Sequence, residues 1–311
     1  MRKFLLASVL SASFSAPLLA GEAASPATPS DIIAAAPASD WVRIAPENLL
    51  VMDLAPDTAG KPRRVVIQLI GVPFSQGWVE NIRKLVAARW YDGIAVVRVQ
   101  DNYVVQWGDP DGEDAKKAKP LPAGLKVMTD RDYATADKSA VAKYAVKAGP
   151  LAIRDNYAAV ASFRNGWPYA KSAGAVWPVH CYGYVGVGRN LAPDAGTGAE
   201  LYAVIGHAPR QLDRNVAVVG RVIEGIETLS ALPRGTGPLG FYEDPAQRIR
   251  ILSVRMGNEV SGLPAYEYLS TESVSFAAYL NKRENRQDDF YTQPAGGADV
   301  CNVPVPVRIA K

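Results

Sequence analysis

The stretch VVRVQDNYVVQWGDPDG, residues 96–112, places one arginine inside a run of β-branched residues. A guanidinium carries five N–H donors and keeps its proton in proteins, so Arg98 needs either acceptor partners or an open site. Because alternate strand residues share a face, Arg98 is expected to lie on one face with Val96 and Gln100. After the turn, a hairpin of this kind would bring Gln106 to the same surface. The plainer alternative is an edge-strand arginine that meets solvent or a carboxylate.

The residue types that carry most enzymatic chemistry are few in this chain. The spacing of its two histidines and two cysteines, His180, His207, Cys181 and Cys301, matches no metal-binding motif. His180 and Cys181 are adjacent, and neighbours on a strand point to opposite faces, so they are not expected to form a nucleophilic pair. The glycines of YGYVGVGRN lack the spacing and the βαβ context of a nucleotide-binding loop. No metal and no cofactor are therefore expected.

The composition and the net charge of the chain limit the classes of protein to which it can belong. The chain has 311 residues, of which 48% are hydrophobic and 21% charged, and its formal net charge is +3. These values are typical of a globular protein. They give no electrostatic reason to expect nucleic acid or an anionic membrane as a partner.

The N-terminus predicts export. In residues 1–22, Arg2 and Lys3 precede an apolar stretch that is too short and too rich in serine for a membrane span, which is typical of a signal peptide. No later run of apolar residues is long enough to predict a span. A periplasmic or secreted location is expected, and export would permit a disulfide between Cys181 and Cys301. Closing so long a loop is worth about 4–5 kcal/mol in chain-entropy models.

The remaining patterns outline the secondary structure. Residues 23–40 are rich in Ala, Ser and Pro and predict a flexible linker. The runs 48–54 and 63–70 predict a hairpin, and residues 75–90 an amphipathic helix with Ser75 as its cap. Further runs are typical of strands (157–170, 175–189, 199–206, 216–223, 248–255) or helices (138–148, 224–232, 274–284). Many antiparallel strands with two or three helices predict a mainly β protein, a closed barrel or a sandwich capped by helices.

The order of motifs over residues 63–232 resembles the cyclophilin-type peptidyl-prolyl isomerases. The family motif Phe-His-Arg, a short turn, then Phe-Met-x-Gln-x-Gly-Asp is similar to VVR at 96–98 and YVVQWGD at 103–109. The family motifs Glu-Asn-Phe and Tyr-x-Gly, which come earlier in the chain, are similar to Glu80-Asn81-Ile82 and Tyr91-Asp92-Gly93. GTGAELYAVIGHAPRQLDRNVAVVGRVIEGIETL resembles the family stretch from Gly-Ser-Gln-Phe-Phe-Ile to Val-Phe-Gly-x-Val-x-Glu-Gly-Met. The resemblance implies a closed antiparallel cyclophilin-like β-barrel at 41–261, with an insertion at about 111–180 and a C-terminal extension, 262–311, packed on the barrel.

The resemblance also implies the roles of individual residues. Arg98 would be the catalytic arginine, and Gln106 its polar neighbour. The residues that would bind substrate are Tyr103, Val104, Glu200, Tyr202 and Leu212, with Glu200 standing where the family has glutamine. The chain departs from the family at four further positions. Val97 replaces the histidine of Phe-His-Arg, and Tyr202 replaces a pocket phenylalanine. Gln211 and Val216 replace a tryptophan and a histidine.

The function implied is that of a peptidyl-prolyl isomerase that assists the folding of exported proteins. Its substrates would be proline-containing polypeptides, and the arginine would help to twist the X-Pro amide. This reaction needs no nucleophile or metal, since its barrier comes from the partial double bond of the amide. One alternative is a weakly active or inactive cyclophilin-fold module that binds or chaperones proline-containing segments. Another is a barrel that encloses a small ligand.

Overall fold

The protein is described here by a computed structural model that covers residues 27–144 and 151–311. The predicted signal peptide, residues 1–22, lies outside the described residues. The strands are β1 (Trp41–Arg43), β2 (Leu49–Leu54), β3 (Arg63–Leu69), β4 (Ala95–Val99), β5 (Val104–Gly108), β6 (Val160–Arg164), β7 (Trp167–Ser172), β8 (Ala175–Pro178), β9 (Tyr184–Val187), β10 (Leu201–Val204), β11 (Val218–Glu224), β12 (Ile249–Met256), β13 (Tyr266–Leu269) and β14 (Val307–Ile309). The α-helices are α1 (Pro29–Ala35), α2 (Gln76–Ala87), α3 (Lys138–Lys143), α4 (Ile226–Ser230) and α5 (Val274–Glu284).

Eight of these strands close into a barrel. Their order around it is β10-β5-β4-β12-β2-β3-β11-β9, and every pairing is antiparallel. The predicted mainly β fold with a closed antiparallel barrel is therefore confirmed, as is the hairpin of β2 and β3. The other strands form two smaller sheets, β1-β13-β14 and β6-β7-β8. None of the helices in the described ranges is long and apolar enough to cross a membrane.

The hairpin of β2 and β3 is apolar over residues 49–52 and 65–67, where both of its faces are covered. Leu50 and Met52 belong to the main core that fills the barrel. Leu49 and Val66 pack on the outer face, in a second cluster that includes Tyr266 from the C-terminal extension. A strand segment that is buried on both faces reads as a continuous hydrophobic run, as these two segments do.

Helix α2 packs its apolar stripe on the barrel, with Trp78, Ile82 and Leu85 almost fully buried. The prediction that Ser75 caps this helix through its side chain is wrong. Ser75 precedes the helix with a left-handed backbone (φ 54°), and its hydroxyl makes no capping bond. The side chain of Gln76 instead turns back and donates to the carbonyl oxygen atoms of Ile70 and Phe74, at 3.1 and 2.7 Å.

The prediction of a flexible linker over residues 23–40 is wrong for its second half. Helix α1 begins after Thr28, whose hydroxyl accepts from the amide of Asp31, while the Asp31 carboxylate accepts from the amide of Thr28. This reciprocal capping box supplies acceptors for amides that a helix start leaves without partners. Ile32 and Ile33 then pack against the core, and α1 lies against α5. The rest of the linker, before residue 27, lies outside the described residues.

The insertion and the C-terminal extension are both tied to the barrel. The buried guanidinium of Arg221 on β11 donates to the carbonyl oxygen of Gly166 at 2.9 Å and lies over the ring of Trp167, both in the insertion. From the extension, Phe276 of α5 enters the main core. A disulfide joins Cys181, directly after the insertion, to Cys301 in the C-terminal extension.

Two glycines in this insertion offer a matched test of its packing. Gly166 and Gly174 sit in neighbouring hairpin turns with φ of 79° and 78°. A Cβ at Gly166 would lie 2.5 Å from the ring of Tyr268, whereas one at Gly174 would have no atom within 4 Å. We expect Gly174→Ala to lower the free energy of unfolding by about 1 kcal/mol, for backbone strain alone. Gly166→Ala should lower it by about 2–4 kcal/mol, because overpacking adds to the strain. Urea unfolding of both variants measures the difference, and equal losses would contradict this packing.

Candidate active site

Arg98 and Gln106 face each other across the hairpin of β4 and β5. Val96 pairs with Trp107, but the next pair is Arg98 with Gln106, so Val97 is an extra residue on β4. This β-bulge breaks the alternation of faces. Val96 therefore enters the core, whereas Val97 and Arg98 both line the groove outside the barrel. The prediction that Val96 shares a face with Arg98 is wrong for this reason.

The guanidinium of Arg98 is held on three sides. Its Nε donates to the carbonyl oxygen of Leu239 at 2.7 Å, and its Nη1 donates to Oε1 of Gln106 at 2.8 Å. Its Nη2 donates to Oε1 of Gln100. Burial lowers the pKa of the Arg98 guanidinium, which stays charged because its ordinary value lies far above neutral pH. The described residues thus fix the orientation of this cation while using three of its five N–H donors.

Aromatic rings flank the guanidinium on both sides. The Cζ atom of Arg98 lies 5.6 Å from the centre of the Tyr103 ring and 5.4 Å from that of Phe241. Phe241 forms an isolated antiparallel bridge with Arg98, and the amide of Tyr242 donates to the carbonyl oxygen of Val97 at 3.0 Å. Cation–π contacts of this kind favour the charged guanidinium. The residues Leu239 and Phe241 were not predicted, because their loop, 233–244, is rich in Gly and Pro and its apolar residues follow no regular period.

A hydrophobic cluster separate from the main core lies beside Arg98 on the outer face of the barrel. It is built by strand β10, the start of β5 and the segment after β10. It is called the apolar pocket below, because it is the surface that the resemblance assigns to the proline ring. The structure brings together four residues that the resemblance assigned to substrate binding, and adds two valines: Tyr103, Val104, Tyr202, Leu212, Val204 and Val216. Tyr202 is directly opposite Gly186 on β9, where a Cβ would lie 2.3 Å from its ring. The missing side chain at Gly186 makes room for that ring.

A buried hydrogen-bond network holds the hydroxyl of Tyr202 in place. Its hydroxyl lies 2.9 Å from Nε2 of His180, and Nδ1 of the same imidazole lies 3.0 Å from the carboxylate of Asp213. Arg210 donates to Asp213 at 2.6 Å and to Asp155 at 2.8 Å. His180 is only 1% exposed, and burial raises the pKa of Tyr202 well above its ordinary value. The sequence pattern missed this network because its members come from distant segments.

The hydroxyl of Tyr202 can be tested by its removal. Tyr202→Phe keeps the ring but leaves Nε2 of His180 without its partner in a buried place. We expect the free energy of unfolding to fall by about 1–3 kcal/mol, the usual cost of an unsatisfied buried polar group. In Tyr103→Phe, the matched control, the lost hydroxyl has no hydrogen bond to a described residue, so the change should stay within about 0.5 kcal/mol. Chemical unfolding followed by tryptophan fluorescence gives both values. A loss in the control as large as in Tyr202→Phe would contradict the role of the network.

A groove continues from Arg98 away from the apolar pocket. It has a volume of about 760 Å³ and is lined by residues from the β4–β5 hairpin, the segments that follow β5 and β9, and the 233–244 loop. On its floor, Nε2 of Gln106 donates to Oε1 of Glu200 at 2.7 Å, so hydrogen bonds connect Arg98 to Gln106 and Gln106 to Glu200. Burial raises the pKa of the Glu200 carboxyl, and the hydrogen bond from Gln106 opposes that rise.

Among the described residues, the interior of the barrel is filled by the side chains of the main core. The cavity lined by Leu50, Met52 and Trp107 measures only about 10 Å³, which is at the lower limit for a single water molecule. This volume contradicts the hypothesis of a barrel that encloses a small ligand. Among the described residues, no group of three or more His, Cys, Asp or Glu side chains could hold a metal ion.

The architecture is that of a cyclophilin-like barrel, with the site on its outer face. The family model described as "Cyclophilin type peptidyl-prolyl cis-trans isomerase/CLD" matches residues 64–256, more than half of the chain. The chain belongs to this family of peptidyl-prolyl cis-trans isomerases, as the resemblance predicted. A comparison with curated protein sequences gave no match.

A solved structure of a cyclophilin shows the same fold. The chain is similar to the cyclophilin AquaCyp293 from Hirschia baltica, with a TM-score of 0.61 and 20% identity over 92% of this chain and 99% of that one. It is also similar to a cyclophilin-type isomerase from Cryptosporidium parvum, with a TM-score of 0.40 and 14% identity over 67% and 96% of the two chains. The same Cryptosporidium protein solved in the presence of the dipeptide Ala-Pro gives a TM-score of 0.38 and 13% identity over 66% and 98%.

Proposed function

We propose that this protein isomerises X-Pro bonds in exported polypeptides, with Arg98 as the catalytic residue. The observation that carries the proposal is the position of the guanidinium, which is half-buried and oriented by Leu239, Gln106 and Gln100 at the edge of the apolar pocket. A proline ring in that pocket would set its nitrogen beside Arg98. The groove on the other side offers room for the residues that flank the proline.

The proposed chemistry needs only a well-placed donor. Twisting the X-Pro amide breaks its conjugation, which is the source of the barrier of about 18–20 kcal/mol. The lone pair of the prolyl nitrogen is then free to accept a hydrogen bond, and a remaining N–H of Arg98 donates to it. This contact is absent in the planar ground state, so it stabilises the transition state selectively. Gln106 contributes by accepting a hydrogen bond from Nη1 of Arg98, which holds the guanidinium in place.

Two features support a role in a compartment outside the cytoplasm. Residues 1–22 have the composition of a signal peptide, and the Cys181–Cys301 disulfide is of the kind that forms in oxidising compartments. Uncatalysed X-Pro isomerisation takes tens of seconds or longer and limits the folding of many chains. We therefore propose that the substrates are proline-containing segments of proteins that fold in the periplasm or after secretion.

A second candidate function is a module that binds proline-containing segments with little turnover. The observation in its favour is the loss of family residues around the pocket, since Val97, Gln211 and Val216 replace two histidines and a tryptophan. Such a protein would hold unfolded chains without accelerating their isomerisation.

An exchange measurement separates the two candidates. We expect catalytic amounts of the wild-type protein to broaden the cis and trans proline signals of a short X-Pro peptide in NMR exchange spectra. Arg98→Ala should lose this effect while still binding the peptide. A wild-type protein that binds a reduced, unfolded proline-containing chain but leaves the exchange rate unchanged would support the binding module and overturn the proposal of an enzyme.

A further inference from the structure

Glu200 occupies an unusual position for a carboxylate. It lies just before β10 and is flanked by glycines on both neighbouring segments. A Cβ at Gly188 would lie 2.7 Å from the Glu200 side chain, and one at Gly108 would lie 3.1 Å from it. The two glycines therefore leave space for this side chain to lie across the sheet on the floor of the groove. Glutamine would fit the same space without the charge.

The other carboxylates near the floor of the groove are already satisfied by the backbone. Both oxygen atoms of Asp109 accept amide hydrogen bonds, from Asp111 at 3.1 Å and Lys119 at 2.6 Å. Both oxygen atoms of Asp194 do the same, with Asn190 and Gly196 at 2.9 Å. Glu200 differs, because Oε1 accepts from Gln106 while Oε2 accepts no hydrogen bond from the described residues.

Two of the cations along the groove donate to backbone carbonyl groups, whereas Nε of a third, Arg248, has no hydrogen-bond partner among the described residues. Lys119 donates its Nζ to the carbonyl oxygen of Asp92 at 2.8 Å, and Arg189 donates to the carbonyl oxygen atoms of Asn215 and Asn190 at 3.1 and 2.7 Å. Arg98 is separated from Glu200 by the amide of Gln106. The charge of Glu113 raises the pKa of the Glu200 carboxyl further, whereas the charge of Arg98 lowers it. A side chain that enters the groove thus meets an available carboxylate oxygen on its floor.

We propose that Glu200 is a specificity-determining residue that selects X-Pro segments with a lysine or arginine close to the proline. The inference rests on the proposed function, since it assigns the groove to the residues that flank the proline. A cationic side chain that reaches Glu200 would donate to Oε2 and replace water in a partly buried site, where a charge-assisted hydrogen bond is stronger than at the open surface. An acidic side chain in the same place would face Glu200 and Glu113 as like charges.

Three peptides of equal length test this inference. They carry Lys, Ala or Glu next to the X-Pro bond, and kcat/KM is measured for each at pH 8, well above the ordinary pKa of a carboxyl group. We expect the wild-type protein to prefer the Lys peptide over the Glu peptide by about tenfold, which is the effect of about 1.4 kcal/mol. In Glu200→Gln, which keeps the shape of the side chain, this ratio should fall to within about twofold. In Glu227→Gln, which removes an exposed carboxylate of α4 outside the groove, the ratio should stay at the wild-type value.

The outcomes separate this inference from the proposed function. An equal Lys-to-Glu ratio in the wild type and in Glu200→Gln, with activity that still depends on Arg98, overturns the selectivity alone. No catalysis of any peptide by the wild type overturns the enzymatic proposal. The dissociation constants of the same three peptides then decide the selectivity, because Glu200 would act on binding in either case. Loss of the preference in Glu227→Gln as well would show a general charge effect and overturn the role of Glu200.

Discussion

Arg98→Ala lowers kcat/KM for X-Pro isomerisation by at least about 100-fold, if the guanidinium stabilises the twisted amide. The expected size of this loss comes from other enzymes. There, removing one pre-oriented hydrogen-bond donor from a site of developing charge lowers the rate by about 10²–10³-fold. The three acceptors around Arg98 hold it before substrate arrives, so little of its stabilising effect is lost to reorganisation. The binding of a proline peptide should weaken much less, because the apolar pocket stays intact.

Two controls accompany this measurement. Arg98→Lys keeps the charge but loses the planar fork that reaches Leu239, Gln106 and Gln100 together, so most of the activity should still be lost. Arg250→Ala removes an exposed arginine of β12 and should keep wild-type activity. Circular dichroism and urea unfolding check that each variant is folded. If folded Arg98→Ala retained more than half of the wild-type kcat/KM, the proposed mechanism would be wrong.

Replacing both cysteines with serine should cost the protein about 3–5 kcal/mol of unfolding free energy. Cys181 and Cys301 are separated by 120 residues, and cross-linking a loop of this length removes much of the conformational entropy of the unfolded chain. The bond also joins the extension to the segment that carries His180, the partner of Tyr202. We therefore expect the variant to lose stability first where the extension meets the insertion.

Urea unfolding of Cys181→Ser/Cys301→Ser, compared with the oxidised wild type, measures this loss. The wild type reduced with dithiothreitol should unfold at nearly the same urea concentration as the double variant, which separates the effect of the cross-link from that of the serines. Hydrogen exchange should show the largest increase in α5 and in β14. A double variant as stable as the oxidised protein would mean that packing alone holds the extension in place.

The hydrophobic pattern was sufficient to predict a mainly β protein, either a barrel or a sandwich, and the resemblance to the cyclophilin-type isomerases then predicted the closed barrel. The hairpin of β2 and β3 follows from two apolar runs with a turn between them. Helix α1 could also have been found, because Thr28 and Asp31 have the spacing of a capping box. The linker prediction gave more weight to the Ala and Pro content of the segment than to this local motif.

The candidate site was only partly predictable, for reasons of distance and register. The motif similarity brought Arg98 and Gln106 to one surface, but the bulge at Val97 depends on pairing between two strands and leaves no local pattern. The contact of Phe241 with Arg98 joins positions 143 residues apart (241 − 98 = 143). Likewise, the polar side chains behind Tyr202 meet only after the insertion has folded on the barrel. Periodicity within a short window cannot detect such contacts.

The small sheet β1-β13-β14 limits how early the folding of the protein can be completed. It pairs Trp41–Arg43, at the start of the folded domain, with β13, and β13 with Val307–Ile309, the last strand of the chain. The guanidinium of Arg308 also lies 3.6 Å from the centre of the Trp41 ring. Contacts between residues so distant in sequence form late and slowly. A chain in which β14 has not yet been synthesised cannot form this sheet. Pairing of β13 with Val307–Ile309 is therefore among the last steps in the folding of the described residues.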